Sequence, residues 1–272
     1  MFVRSRFLPV LLLLASLSEP AAAADPGRAT MDQLRALEHG ERSWSDRRQA
    51  LALRIEDARG GTRERELVML TQRTDPGEDK TLTVFRAPGD LRGTAFLQFA
   101  HRDEDAEQWL YLPELERVRR ITSRAKNQSF MGTDFSYRDL ELLTDVVEWR
   151  ADEAHAKSLG SEAWQGQTAE RIELRPSAKS IGYERVIVTV TKPDLLLRRM
   201  EFFESGDTPA KTLDLEKIAE VGGIPTPRRL TMVRHDGGGR TVIDVSEVRY
   251  DDKLASRLFT QRSLERGLDA IQ

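Results

Sequence analysis

Apolar positions recur along this chain with two different periods. Between Arg28 and Trp44, Met31, Leu34, Leu37 and Trp44 fall at helical spacing, with Thr30 and Asp32 placed as caps, which predicts an amphipathic opening helix over residues 28–44. From there the period becomes two. Leu51, Leu53 and Ile55 alternate with Ala52, Arg54 and Glu56, and Val68 and Leu70 alternate with Met69 and Thr71. Gly60-Gly61 between these runs reads as a hairpin turn, and Thr74-Asp75-Pro76-Gly77 as the next. Further strands are predicted at residues 80–86, 93–99, 108–112 and 117–122. A stretch over residues 127–144, rich in Phe, Met, Gly and Asp, interrupts the series and ends at Tyr137–Leu143 in a short helix of about two turns. Strands resume at 169–174, 183–191, 196–203, 212–219, 226–235 and 240–250, separated by turn-rich segments such as Lys192-Pro193-Asp194 and Asp236-Gly237-Gly238-Gly239.

The pattern is that of an antiparallel meander of about a dozen strands with two helical insertions, forming one mainly β domain over residues 25–272. Strands of the second half, such as those containing Arg185-Val-Ile-Val-Thr-Val-Thr and Arg228-Arg-Leu-Thr-Met-Val-Arg, alternate apolar with charged or hydroxyl residues. One face is therefore wet and the other must be covered. A closed barrel, a sandwich or a curved sheet wrapped over a helix would cover it. Two helices are too few to cover so many strands completely. The remaining apolar concavity is either packed side chains or a ligand cavity.

The amino terminus sets the compartment. Arg4 and Arg6 precede an apolar run from Phe7 to Leu17, and small residues Ala21–Ala24 follow, the pattern of a secretory signal peptide over residues 1–24 cleaved after Ala24. The apolar run is shorter than the ~20 residues that a membrane-spanning helix needs. The expected location is the periplasm, as a soluble exported protein. Among 272 residues there is no cysteine, which excludes disulfides, thiolate metal sites, cysteine nucleophiles and lipid attachment at cysteine. Charged residues make up 32% of the chain with a formal net charge of −3 and interleaved signs, so neither a disordered chain nor a basic nucleic-acid footprint is indicated.

Catalytic and metal-binding patterns do not emerge. His39, His101, His155 and His235 are widely spaced and lack a ligand pattern, so they read as surface or turn residues. Ser123-Arg-Ala-Lys126 matches S-x-x-K without its companion motifs. Carboxylate runs such as Asp103-Glu104-Asp105 and Asp251-Asp252 read as solvated faces. Asp134 and Asp139 lie in the aromatic segment, where Asp134 or Ser136 would cap the short helix and Asp139 would sit in its first turn. No enzyme, cofactor or metal is expected.

Aromatic residues are 7% of the chain, yet Phe85, Phe96, Phe99, Trp109, Tyr111, Phe130, Phe135 and Tyr137 crowd into residues 85–137. Between them stand three stretches: Arg86-Ala-Pro-Gly-Asp-Leu-Arg-Gly-Thr-Ala-Phe-Leu, Trp109-Leu-Tyr-Leu-Pro-Glu-Leu-Glu-Arg-Val-Arg-Arg-Ile and Ser129-Phe-Met-Gly-Thr-Asp-Phe-Ser-Tyr-Arg-Asp-Leu. In this order they resemble the signature of the outer membrane lipoprotein-sorting proteins, the LolA-like family. The resemblance implies a half-open antiparallel β-barrel with helices as lid or plug and an apolar concave face suited to an acyl chain. It implies a carrier of lipids or lipoprotein acyl chains, working with an inner-membrane exporter of the RND or MMPL type. A sensor-like relative that binds an anti-sigma factor supplies the alternative, an envelope sensor or docking module that carries nothing.

A soluble carrier must shield hydrocarbon worth ~0.8 kcal/mol per buried CH₂ and still release it, a task suited to flexible apolar linings under a movable plug. The residues expected to line or gate the cavity are Phe96, Trp109, Tyr111 and Phe130, together with Met131, Phe135, Leu140 and Leu143. Which parity of each strand faces inward is open at this stage. Arg117, Arg119, Arg120, Arg124 and Lys126 form a basic stretch, read either as a solvated strand face or as a contact for anionic head groups or an acidic partner.

Overall fold

The computed structural model describes residues 25–75, 78–102, 104–178 and 181–266. The expected signal peptide over 1–24, and Pro76 and Gly77 of the expected turn, lie outside the described residues. Thirteen antiparallel strands form one sheet. They are β1 (Asp46–Glu56), β2 (Thr62–Asp75), β3 (Glu78–Ala87), β4 (Ala95–Phe99), β5 (Glu107–Leu112), β6 (Arg117–Arg120), β7 (Ala154–Trp164), β8 (Gln167–Pro176), β9 (Arg185–Thr191), β10 (Leu196–Phe203), β11 (Lys211–Val221), β12 (Ile224–Arg234) and β13 (Arg240–Tyr250). The spatial order is β6-β5-β4-β3-β2-β1-β13-β12-β11-β10-β9-β8-β7. Two meanders, β1 to β6 and β7 to β13, are thus joined side by side through β1 and β13, and β6 and β7 stay at opposite edges. The sheet does not close into a barrel.

This order fixes the path of the chain between β6 and β7. Having ended at one edge, it must cross to the other, and it does so over the inner face through residues 121–153, which contain the helix α2 (Tyr137–Glu148). The interruption seen in the sequence is therefore the crossover itself. Helix α2 covers twelve residues, longer than the two turns predicted.

The opening helix α1 (Pro26–His39) is shorter than predicted. Asp25, rather than Thr30 or Asp32, is its N-cap: Oδ1 accepts from Gly27 N at 2.8 Å and also from Ser158 N on β7 at 2.8 Å, pinning the helix to the sheet as it starts. A Cβ on Gly27 would lie 2.7 Å from Ser158 N, so the approach requires glycine. The helix ends at Gly40, and Trp44 leaves the helical stripe to stack under the guanidiniums of Arg73 and Arg47, at 3.8 and 4.7 Å from its ring centroid. Buried Arg28 reaches from α1 to the end of α2, donating to Trp149 O at 2.8 Å and Ala154 O at 2.6 Å, so a cation satisfies carbonyls left free beyond that helix.

Strand β7 had not been predicted. Of its residues only Ala154 and Ala156 are buried, and the second half is exposed, so an edge strand with alanines on its inner side carries no visible period-two signal. The outer face of the second meander is held by cross-strand ion pairs, among them Arg199 with Asp214 at 2.6 Å and Arg229 with Asp244 at 2.7 Å. The outer face of β2 to β5 is apolar instead, and Phe259 and Leu264 cover it, the latter from the terminal helix α3 (Gln261–Arg266).

Asp79, at the start of β3, carries a pH signature. Burial raises its pKa from 3.8 to about 6, against the pull of Arg73 and Arg47. The carboxyl holds its proton more tightly folded than unfolded, so stability falls as pH rises between about 4 and 6, by about 2–3 kcal/mol in total. Asp79→Asn is expected to remove that fall and to stabilise the protein at neutral pH by a similar amount. Urea unfolding across this range checks it; an unchanged pH profile in the variant would refute it.

Candidate functional site

The crossover closes on itself before it reaches α2. Phe130 N donates to Phe135 O at 2.7 Å, Ser129 Oγ to Thr133 O at 2.6 Å and Thr133 Oγ1 to Phe130 O at 2.7 Å. The turn needs left-handed backbone at Met131 (φ 51°) and Gly132 (φ 74°) in succession. Asp134 and Thr241 of β13 exchange two hydrogen bonds, at 2.9 and 2.7 Å, which fasten the loop to the sheet. Residues 129–136 thus form a compact plug seated on the inner face.

Phe130 is its anchor. Its ring lies 5.2 Å from Phe96, 5.4 Å from Tyr137 and 6.0 Å from Phe85, a cluster drawn from β4, α2 and β3. Helix α2 begins at a reciprocal cap: Asp139 N donates to Ser136 Oγ at 3.1 Å and Ser136 N to Asp139 Oδ2 at 2.7 Å. Asp139 has no exposed surface and also accepts from Tyr183 OH and Lys211 Nζ, both at 2.6 Å. Burial and the adjacent carboxylate push the Tyr183 hydroxyl well above the ordinary tyrosine range, so it stays a donor. The expected helix-start roles of Ser136 and Asp139 hold, and Asp134 serves as a loop fastener instead of a cap.

Of the eight residues expected to line or gate a cavity, six lie on the inner face. Phe96, Phe130, Met131 and Leu140 pack in the cluster around the plug, and Phe135 and Leu143 in the cluster beneath the helices. Trp109 and Tyr111 do not: they point outward, against Phe99 and the region covered by α3. The parity of β5 is the reason, since Leu110 and Leu112 take its inner side. In the basic stretch, Arg117, Arg119, Arg120 and Arg124 are exposed on the β6 edge and beyond it, with Arg120 paired to Glu107 at 2.8 Å. Lys126 leaves this group. It is 2% exposed, lies 2.6 Å from Glu141 and donates to Ala106 O, so no external head group can reach it.

Sequence reasoning missed the open part of the inner face. Leu215, Leu230 and Ile243 stand directly opposite one another on β11, β12 and β13, half-buried, at the seam where Leu140, Leu230 and Ile243 touch both inner clusters. Val147 of α2, beside the expected Leu143, is half-buried alongside the same core. Their period-two and i, i+4 spacing was visible; their partial exposure depends on how far α2 reaches across the sheet. A separate recess of about 500 Å³ beside the end of α2 has a mixed lining, with Arg35, Glu104, Arg138 and Glu153 among its charged groups and Leu142, Trp149 and Ile181 among its apolar ones. Among the described residues no group of three or more His, Cys, Asp or Glu is placed to hold a metal, and no helix is long and apolar enough to cross a membrane.

An open antiparallel sheet of this kind is shared with known structures. A domain assigned to the outer membrane lipoprotein-sorting proteins, from Vibrio parahaemolyticus, matches with TM-score 0.80 and 28% identity over 88% of this chain and 98% of its own. A family model described as "Uncharacterized protein" matches residues 77–266. The chain belongs to the LolA-like family of outer membrane lipoprotein-sorting proteins. A DUF1329 family protein from Desulfovibrio piger is similar to the same degree, with TM-score 0.80 and 29% identity over 89% of this LolA-like chain and 100% of its own. A LolA superfamily protein from Nitrosomonas europaea shares the fold at TM-score 0.63 and 17% identity, over 87% and 98%. No curated protein matches the chain. The expected half-open LolA-like barrel is the fold observed, and the three signature stretches prove to be β3–β4, β5–β6 and the plug with the start of α2.

Proposed function

We propose that this protein is a periplasmic carrier that shelters an acyl chain of a lipid or lipoprotein on its inner face, over the row Leu215, Leu230 and Ile243 beside α2. The partial exposure of three apolar side chains aligned on neighbouring strands beside α2 carries the reading: apolar surface left open on a helix-flanked sheet face is a binding feature. Similarity to lipoprotein-sorting domains supports it. The chain would be exported by its leader, cleaved after Ala24, and act as one domain over residues 25–272, without catalysis or cofactor. Cargo would be received from an inner-membrane exporter of the RND or MMPL type.

The test is mass spectrometry of organic extracts from the purified mature protein. Lipid is expected to co-purify with the wild type and to fall at least about tenfold in Leu230→Asp, which places a carboxylate on the partly exposed row, in a preparation whose circular dichroism matches that of the wild type. Extracts free of lipid, or lipid unaffected by the substitution, would count against a carrier. The second reading, a sensor or docking module, draws on the seated plug: Phe130 is 5% exposed, so the inner face is partly filled by the chain itself. Such a module would capture its protein partner equally well before and after delipidation.

A further inference from the structure

Two neighbouring cross-strand rows of the inner face end in arginine. One runs Leu215, Leu230, Ile243, Leu53, Arg65 through β11, β12, β13, β1 and β2, and the other runs Met232, Thr241, Ile55, Arg63. Arg65 is 8% exposed, and its guanidinium donates to the Met131 carbonyl of the plug. Among the described residues neither Arg63 nor Arg65 forms an ion pair. Their guanidiniums converge on one spot: Arg65 Nη2 and Arg63 Nη1 lie 3.5 and 3.6 Å from where a Cβ of Gly132 would be, at an exposed turn of the plug. Burial, and then the Arg63 cation, hold Arg65 below the ordinary guanidinium range, with Asp90 opposing. Two like charges focused on a half-dry site are mutually unfavourable, and an anion placed between them removes that cost.

We infer that Arg63 and Arg65 are the head-group site for an anionic amphiphile bearing a carboxylate or phosphate, whose hydrocarbon chain follows Leu53, Ile243, Leu230 and Leu215 across the sheet. The inference rests on the carrier reading and gives its cargo a chemical class. From β2 to β11 there are four strand spacings, about 19 Å, which is the extended length of a chain of about sixteen carbons. The fork of each guanidinium suits the paired oxygens of a carboxylate or phosphate.

Calorimetry on the purified mature protein, below the critical micelle concentration, tests this with palmitate and palmitoyl lysophosphatidylglycerol as anionic probes, monopalmitoylglycerol as the neutral probe, and inorganic phosphate alone. The anionic amphiphiles are expected to bind at least about tenfold tighter than the neutral one. Arg63→Gln/Arg65→Gln should reduce them to the neutral value while leaving monopalmitoylglycerol unchanged. Arg63 is exposed, so Arg63→Gln alone keeps the fold and should weaken the anionic probes about threefold. Equal affinity for charged and neutral chains in the wild type, or anionic affinity indifferent to these substitutions, overturns the inference and leaves the carrier reading standing. Inorganic phosphate binding as tightly as the lysolipid would assign the site to a free anion and overturn it too. Failure of every amphiphile to bind overturns the carrier reading itself.

Discussion

Replacing Asp139 by alanine is expected to destabilise the protein by about 3–5 kcal/mol, because it removes the acceptor of three separate elements from a site with no exposure. The Tyr183 hydroxyl on the approach to β9, the Lys211 ammonium on β11 and the Ser136 amide at the head of α2 all end on this carboxylate. Without it Lys211, whose side chain is 13% exposed, keeps a nearly buried charge with no counterion, and Tyr183 keeps a buried hydroxyl with no acceptor. Asp139→Asn preserves the size and one acceptor while losing the charge, so it should recover part of the loss. Asp139→Leu paired with Lys211→Met removes both charges together and should recover more than either single change predicts. Chemical unfolding with the midpoint and slope both fitted is the measurement; a loss below about 1 kcal/mol for Asp139→Ala would show that the hub is not structural.

Most strands were legible because their inner residues are large and their outer residues charged, as in Leu51, Leu53 and Ile55 against Arg54 and Glu56 on β1. Strand β7 was not, because its inner side is Ala154 and Ala156 and its remainder is solvated. Trp44 followed a helical stripe by spacing alone, whereas its place is set by two arginines from β1 and β2 that no local window contains. The site divided in the same way. Its plug announced itself through unusual wording, Phe-Met-Gly-Thr-Asp-Phe, in which Gly132 suits the left-handed backbone of the turn. The orientation of Trp109 and Tyr111 was hidden, because β4 and β5 are apolar on both faces and alternation cannot then choose a side. Arg63 and Arg65 carry no motif that marks them in the sequence. Their parity with Leu67 on β2 was the available signal, and it became decisive only once the register placed Leu53 opposite Arg65.

Phe130→Ala should have the largest effect on the plug. The ring contacts three other aromatic residues at 5.2–6.0 Å and is 5% exposed, so its removal leaves a cavity between β3, β4 and α2 with an expected cost of about 3–5 kcal/mol. Only part of that cost is global. The loop's own bonds, Phe130 N to Phe135 O and Thr133 N to Phe130 O, persist without the ring, as do those of Asp134 with Thr241 and of Arg65 with the Met131 carbonyl, but the aromatic packing that seats the turn on the sheet is lost. Local opening of residues 129–136 should therefore become more frequent before the sheet itself is weakened to the same degree. In hydrogen exchange the Phe130 and Thr133 amides are expected to exchange at least about a hundredfold faster in Phe130→Ala. Amides of β4 and β5, whose outer side is sealed by Phe259 and Leu264, should change no more than the global stability does. If the plug is what gates the inner row, the same variant will take up an apolar dye faster than the wild type at equal final occupancy. A plug that exchanges no faster than the neighbouring strands would mean that the loop is a fixed part of the core, and that any guest must enter along the open row of Leu215, Leu230 and Ile243 alone.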